Sequence, residues 1–472
     1  IDNKNSVKLA VGGVRSLEDT HRVAHYEQAS RPNAYATDNF MNFSALSDAV
    51  ENHHIKFEAS RYQSRYTREW INCYPQFLLT PELRTLYNLN PEYADALALT
   101  FQIPSGGSAA DDAALAAAIA RRDAFGSLAA AYSSLCGTIN QNYIDSKNTF
   151  ELQDTWALSE SLRAVTGIGT AHNATSAETF LGGTVEQNKR WIYTNLEWRP
   201  TNAMTFNAGT MFERDSINQA TYSMPRLAAG YEFLPNQVIK YVLATSRRAP
   251  DLTETNLYWQ NQVTNLQTPL DGKDWAYYYR YAKTRTKLVA ERDFSQSLIW
   301  LGRAPDFGIN YEFKIFKENL DKLISQNFGT TEYLSNNGEA QLKGVEYQVR
   351  YKILPELTLL NTYAYLLNDA NNPLETLLYA RHSGSLALLA DIGHYEYGFA
   401  YYGTDFQNAD SFDKFEVLVS RHYKLAGSRF FWQGKLDYLP NNSFSQIEGG
   451  LARFNTRYRS ETGATLEVGV DW

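Results

Sequence analysis

Hydrophobic and polar residues alternate with a period of two along most of the chain. In the segment 343–351, Val345 and Tyr347 fall on one face and Glu346 and Gln348 fall on the other. Successive side chains of a β-strand point to opposite faces. The pattern therefore predicts strands that each have one apolar and one polar face.

The alternation predicts about nineteen strands, many of them about ten residues long. The predicted strands span residues 5–14, 20–29, 38–47, 53–66, 149–158, 161–171, 187–199, 203–214, 226–234, 237–247, 285–302, 307–319, 340–353, 357–367, 379–391, 395–404, 413–424, 429–438 and 461–472. Short and long connections alternate between them. Both a soluble β-sandwich and a membrane barrel have such strands.

Three features favour a transmembrane barrel. The strands are long enough to cross a bilayer when tilted. Aromatic residues such as Trp191, Tyr193 and Trp198 gather near strand ends, as in an interfacial girdle. Short connections suit periplasmic turns, and long ones suit extracellular loops. We therefore predict an all-β fold, a large antiparallel transmembrane barrel that occupies residues 1–472.

Composition narrows the class of protein. Among 472 residues, 14% are aromatic and only 20% are charged. The high aromatic content excludes a disordered chain, and no apolar run reaches the roughly 20 residues of a membrane-spanning helix. A balance of 44 basic against 52 acidic residues disfavours a nucleic-acid partner.

The direction of the strands predicts that others precede the chain. Counting back from Trp472 at the periplasmic interface, strand 5–14 runs inward from the cell surface. Bacterial barrels have an even strand count, so an odd count of about nineteen suggests that strands are missing before residue 1. If the closed barrel has about 22 strands, about three are absent here. The chain begins with Ile1, without an initiator Met, and no signal sequence follows. This suggests a processed chain or a fragment. A miscounted strand is the alternative.

The connection 67–148 is predicted to be a long extracellular loop. Its Ala-rich segment 109–124, with acidic residues first and basic residues last, predicts a short surface helix. Cys73 and Cys136 lie in the same loop. An even pair of cysteines in an oxidising compartment predicts a disulfide, and two free thiols are the alternative.

Several segments resemble the C-terminal barrel of TonB-dependent outer-membrane receptors. The resemblance covers 149–472 and is weaker before it. It is carried by segments 198–200 with 205–209, 241–252 with its Arg-Ala-Pro element, 337–346 and 466–472. The chain departs from the family because no N-terminal plug and no TonB box are visible.

The resemblance implies active transport across the outer membrane of a Gram-negative bacterium. The receptor would bind a scarce ligand, with a ferric siderophore expected, and admit it to the periplasm. Its partners would be the TonB–ExbB–ExbD complex, through a plug outside this chain, the small-molecule ligand, and outer-membrane lipid and lipopolysaccharide. The alternatives are a passive channel without TonB coupling and a soluble β-rich protein that acts on glycans.

Two groups of residues are candidates for contacts. Aromatic and basic side chains of the loop 247–284 suit an aromatic, anionic chelate; these are Tyr258, Trp259, Trp275, Tyr277, Tyr278, Tyr279, Arg280 and Tyr281. They would alternatively extend strand 285–302 and pack against their neighbours. Charged residues on the polar strand face would contact a plug, or would simply be solvated; these are Lys56, Lys240, Glu346, Arg350, Glu416 and Glu467.

Catalytic and metal signatures are missing from the sequence. It contains no G-x-S-x-G, H-E-x-x-H, P-loop or G-x-G-x-x-G motif. His53 and His54 are adjacent, but neighbours on a strand point to opposite faces and do not readily share a metal. We therefore expect no enzyme activity, no catalytic residues, no cofactor and no metal site.

Overall fold

The structure is a computed structural model. It describes residues 4–18, 34–284, 287–325, 334–371, 375–376, 379–406, 412–425, 428–440, 442–448, 452–458 and 461–471. The described residues form 24 strands. The first twelve are β1 (Asn5–Glu18), β2 (Ala34–Ser47), β3 (His53–Thr67), β4 (Glu69–Pro75), β5 (Ser134–Asn140), β6 (Tyr143–Ser159), β7 (Leu162–Ala177), β8 (Gly183–Thr201), β9 (Met204–Asp215), β10 (Thr221–Leu234), β11 (Gln237–Arg248) and β12 (Tyr258–Thr264). The others are β13 (Ala276–Lys283), β14 (Glu291–Ala304), β15 (Ile309–Ser325), β16 (Ser335–Leu354), β17 (Leu357–Ala370), β18 (Ala380–Ile392), β19 (Tyr395–Phe406), β20 (Phe412–Leu425), β21 (Ser428–Leu439), β22 (Asn442–Glu448), β23 (Ala452–Tyr458) and β24 (Glu461–Asp471).

Eighteen of these strands form one large antiparallel sheet. Each strand pairs with the next one along the chain, passing over β4, β5, β12, β13, β22 and β23. The register is continuous in places over many residues, as between β14 and β15, where Trp300 lies opposite Phe313 and Leu298 opposite Ile315. This meander confirms the predicted fold class.

Every predicted strand outside 19–33 corresponds to a strand of this sheet. The predicted strand 20–29 lies outside the described residues, and β1 pairs directly with β2, with Glu18 opposite Ala34. β2 ends at the short connection 48–52, which lies on the side of the other short turns. Because β1 is antiparallel to β2, it starts on that side too. The predicted direction of β1 is therefore wrong.

The two faces of the sheet differ in chemistry. One face carries a belt of exposed apolar side chains, including Ile192 at 56% and Ile315 at 60% exposed. Alternate positions on the other face are mostly polar or small. Trp198 belongs to the belt, but Trp191 and Tyr193 lie on the opposite face, so the girdle predicted from these three residues is wrong for two of them.

The long connections contain six α-helices in the described part of the chain. They are α1 (Pro81–Leu89), α2 (Pro91–Leu99), α3 (Ala109–Asp123), α4 (Leu128–Ala131), α5 (Glu178–Leu181) and α6 (Leu252–Asn256). The predicted Ala-rich helix is confirmed as α3, whose N-terminus is capped reciprocally by Ser108 and Asp111. No helix among the described residues has the length and apolar character needed to cross a membrane.

Candidate functional site

Two long connections on the same side of the sheet fold together. Residues 68–142, between β3 and β6, and residues 249–290, between β11 and β14, share a four-stranded sheet with the order β13-β12-β5-β4. The two connections meet where Val263 of β12 pairs with Ile139 of β5. We call this assembly the loop unit. The predicted loop thus contains two strands and four helices, where a single short helix was predicted.

A disulfide joins the two strands that come from the first connection. Cys73 of β4 lies directly opposite Cys136 of β5, and their sulfur atoms are bonded across a sequence separation of 63 residues. The predicted disulfide is therefore confirmed. It closes the segment that carries all four helices, α1 to α4.

The loop unit has its own hydrophobic core. Leu83 and Leu86 of α1 and Leu97 of α2 are fully buried with Tyr279 of β13. A second cluster around Ile139 and Val263 fills the other side of the small sheet. Burial of this apolar surface stabilises the loop unit.

Three of the eight predicted ligand-binding residues belong to this core or pack against it. Tyr279 is fully buried, and Tyr278 and Tyr281 pack against the buried clusters. The ring of Tyr258 is tilted against that of Tyr281, with 5.8 Å between the ring centroids, and the ring of Tyr277 lies beneath the Arg84 guanidinium at 4.3 Å. All of these side chains pack inside the loop unit. Tyr258 lies on β12, and the others lie on β13, which pairs with β12 and does not extend β14.

Trp259 and Trp275 are the members of the predicted set that face solvent. They are 36% and 38% exposed. Trp259 lies 5.6 Å from Phe180 of α5, and the Lys273 ammonium lies 5.0 Å from the Trp275 ring centroid. Each exposed indole can stack on an aromatic ring of a ligand, and the cation beside Trp275 favours an anionic one.

Charged pairs hold the helices of the loop unit to its sheet. Arg280 Nε donates to Asp95 Oδ1 of α2 at 2.8 Å, and the Tyr279 hydroxyl donates to the same oxygen at 2.9 Å. Burial, followed by Tyr278 and Asp95, raises the pKa of Tyr279 above its usual value. Arg280 is therefore a structural ion-pair partner. Arg121 of α3 joins the two connections in the same way, through Asp271.

The loop unit is attached to the barrel rim through the Arg-Ala-Pro element. Arg248 binds both carboxylate oxygens of Glu254, at 2.9 and 3.0 Å, and also binds Glu291 at the start of β14. Pro250 is buried, and its carbonyl lies 3.4 Å from the amide of Gln187 on β8. The bidentate pair fixes the direction in which the chain leaves β11.

The six predicted plug-facing residues lie on the face opposite the apolar belt. Lys56 pairs with Glu58 at 2.6 Å, Glu346 with Lys314 at 3.0 Å, and Glu416 with Lys414 at 3.0 Å. The remaining three form no ion pair with other described residues; they are Lys240, Arg350 and Glu467. Their contact with a plug stays a prediction.

A carboxylate on the same face was missed by sequence reasoning. Glu151 accepts a hydrogen bond from Trp191 Nε1 at 3.0 Å and one from the Tyr193 hydroxyl at 2.9 Å. The two rings lie over Gly169 and Gly167, where an added Cβ would come within 2.3 Å of each ring. Because Trp191 is the strand neighbour of the apolar Ile192, the two side chains point to opposite faces. This is the sequence signal that would have placed Trp191 on the inner face.

No metal-binding cluster of three or more His, Cys, Asp or Glu side chains occurs in the described residues. His53 contacts Asp154 at 2.7 Å, and His54 contacts Asp48. The two imidazoles therefore have separate partners.

Comparison with known proteins gives a fold match at low sequence identity. No family model and no curated protein matches the chain. The FrpB iron transporter from Neisseria meningitidis is similar, with a TM-score of 0.60, 10% identity, and coverage of 99% of this chain and 70% of that one. The ferric yersiniabactin uptake receptor FyuA from Yersinia pestis has a TM-score of 0.58 at 12% identity. The match covers 99% of this chain and 68% of FyuA. The siderophore receptor PirA from Acinetobacter baumannii has a TM-score of 0.58 at 10% identity. The match covers 92% of this chain and 64% of PirA.

The chain has the fold of a TonB-dependent receptor barrel. The chain spans 64% of the length of PirA from Acinetobacter baumannii. Of these three solved structures, two are siderophore uptake receptors and one is an iron transporter. An exposed apolar belt of this kind is typical of the lipid-facing side of a transmembrane barrel.

Proposed function

We propose that this chain is the barrel of a receptor that takes up a ferric siderophore across the outer membrane. The loop unit captures the ligand outside the cell. A plug outside this chain, driven by the TonB–ExbB–ExbD complex, then admits the ligand to the periplasm. The chemistry is binding and gating, and no bond of the ligand is made or broken by the barrel.

One observation supports a ferric siderophore as the ligand. The loop unit holds the exposed indoles of Trp259 and Trp275 on a framework that is stapled by a disulfide and packed around its own core. A framework that is already ordered does not lose loop entropy when a ligand binds. Each indole offers a fixed aromatic surface on which a catecholate ring of an anionic chelate can stack, and Lys273 lies beside one of them.

Binding of ferric siderophores tests the proposal. We expect the purified full-length protein to bind a ferric tris-catecholate and to weaken about tenfold when Trp259→Ala or Trp275→Ala removes a stacking surface. Trp198→Ala is the matched control because Trp198 lies in the apolar belt. Equal affinity of the loop variants and the wild type, for a catecholate and a hydroxamate chelate alike, would refute the assignment of this surface.

Energised uptake separates the receptor from a passive channel. Cells that express the full-length protein should accumulate the iron chelate only while TonB is present. A passive channel would admit small solutes equally well in cells that lack TonB.

A further inference from the structure

Two arginines face each other on the lipid-facing side of the barrel. Arg190 of β8 pairs directly with Arg214 of β9, and both side chains are exposed. Each lies two residues beyond an exposed belt residue, Ile192 or Phe212, toward the extracellular end of its strand. The pair therefore sits at the upper edge of the apolar belt.

This arrangement is unfavourable without an anion. Side chains directly opposite each other on neighbouring strands are about 5 Å apart at Cβ, and like charges in such a pair destabilise the sheet. Within the described residues, neither guanidinium forms an ion pair or a side-chain hydrogen bond, whereas Lys189 and Glu213 beside them on the inner face do pair. The arginines thus leave two positive charges uncompensated at a membrane interface.

An apolar groove runs along the outer surface directly below the two guanidinium groups. It has a volume of about 570 Å³ and is bordered by Arg190 and Arg214. Its apolar lining on neighbouring strands consists of Phe57, Phe150, Leu152, Ile168, Ile192 and Phe212. A paired positive charge above an apolar channel matches an amphiphile with an anionic head and hydrocarbon tails.

We propose that Arg190 and Arg214 bind a phosphate group of a lipopolysaccharide molecule in the outer leaflet, and that an acyl chain of the same molecule lies in the groove. Guanidinium groups bind phosphate oxygens through paired hydrogen bonds, and they are less strongly hydrated than ammonium groups. Near the interface, a basic residue costs little on the lipid face of a barrel. The bound phosphate removes the repulsion between the two strands.

Lipid binding by the purified full-length protein tests this proposal. The probes are lipid A with its phosphates, the same lipid after dephosphorylation, and inorganic phosphate. We expect the wild type to prefer phosphorylated lipid A over the dephosphorylated form, and the double variant R190Q/R214Q to lose affinity for it at least about tenfold. The variant R190K/R214K should recover part of the loss because it keeps the charges.

The control variant removes two positive charges from the sheet face opposite the apolar belt. Arg226 and Arg303 are exposed on the face opposite the belt, so R226Q/R303Q should bind lipid A as the wild type does. The shift in gel mobility on heating verifies that each variant is folded. Equal binding of phosphorylated and dephosphorylated lipid, or an unchanged affinity of R190Q/R214Q, would overturn the proposal. Displacement of lipid A by equimolar inorganic phosphate would overturn the role of the groove.

Discussion

The hydroxyl of Tyr279 and the carboxylate of Asp95 are joined by a hydrogen bond of 2.9 Å. Tyr279 belongs to the connection between β11 and β14, and Asp95 belongs to α2 in the connection between β3 and β6. The contact therefore joins the two loops through residues that are 184 positions apart in the chain. The bond makes the two loops one structural unit, so a substitution that destabilises one loop also destabilises the other.

Removal of the Tyr279 hydroxyl should loosen the loop unit. Tyr279→Phe keeps the buried ring but leaves Asp95 with one donor fewer, which should cost about 1–3 kcal/mol of loop-unit stability. Limited proteolysis should cut residues 68–142 faster, while the barrel stays intact. Tyr277→Phe is the control, because the ring of Tyr277 lies beneath Arg84 and its hydroxyl has no hydrogen bond among the described residues. Equal protection of both variants would contradict the role of the bond.

The loop unit should lose stability in alkaline solution. The pKa of Tyr279 is raised above the ordinary value of 10.0, chiefly by burial, and that of buried Tyr278 is raised in the same direction. The folded unit therefore holds these protons more tightly than the unfolded chain. Its stability is complete below pH 10.0 and falls as pH rises above that value. Near-ultraviolet circular dichroism should show the loss while the far-ultraviolet strand signal persists, and the Tyr279→Phe variant should lose stability less steeply.

The sequence pattern predicted the barrel strands well because each has one face in lipid and one in water. For example, Ile315 and Lys314 are neighbours with opposite environments, so alternation alone places them. The same reasoning left two interpretations open for the run from Tyr277 to Tyr281, a ligand-binding surface or packing against neighbours. Its strand is covered by helices on one side and by a second core on the other, and both faces are aromatic. Periodicity does not distinguish such a strand from one that lines a binding surface.

Trp191 shows a different failure. Aromatic residues near strand ends suggested a girdle, but Trp191 and Trp198 are separated by an odd number of positions and cannot share a strand face. Parity excludes Trp191 from the face of Trp198, and the pairing across strands shows what it contacts. Trp191 lies opposite Gly169, where its ring finds room, and reaches Glu151 on the next strand.

Loss of the disulfide should destabilise the loop unit and leave the barrel unchanged. Cys73 and Cys136 close a segment with a separation of 63 residues, and a disulfide of this kind contributes about 2–4 kcal/mol by restricting the unfolded chain. The variant C73S/C136S should therefore be cut within 68–142 at lower protease concentration than the wild type. Treatment of the wild type with a reductant should have the same effect and should leave the variant unaltered. Equal protease resistance of reduced and oxidised protein would contradict this prediction.

The final prediction concerns the barrel wall at Gly169. An added Cβ would lie 2.3 Å from the ring of Trp191, so Gly169→Ala must displace the indole and break its hydrogen bond to Glu151. Overpacking of this kind costs about 1–3 kcal/mol. We expect a lower thermal stability of the barrel and a shift in tryptophan fluorescence. Gly434→Ala is the control, because the nearest atom to its added Cβ is 3.9 Å away. Unchanged fluorescence in Gly169→Ala would show that Trp191 has another position available and that its contact with Glu151 is not enforced by the neighbouring strand.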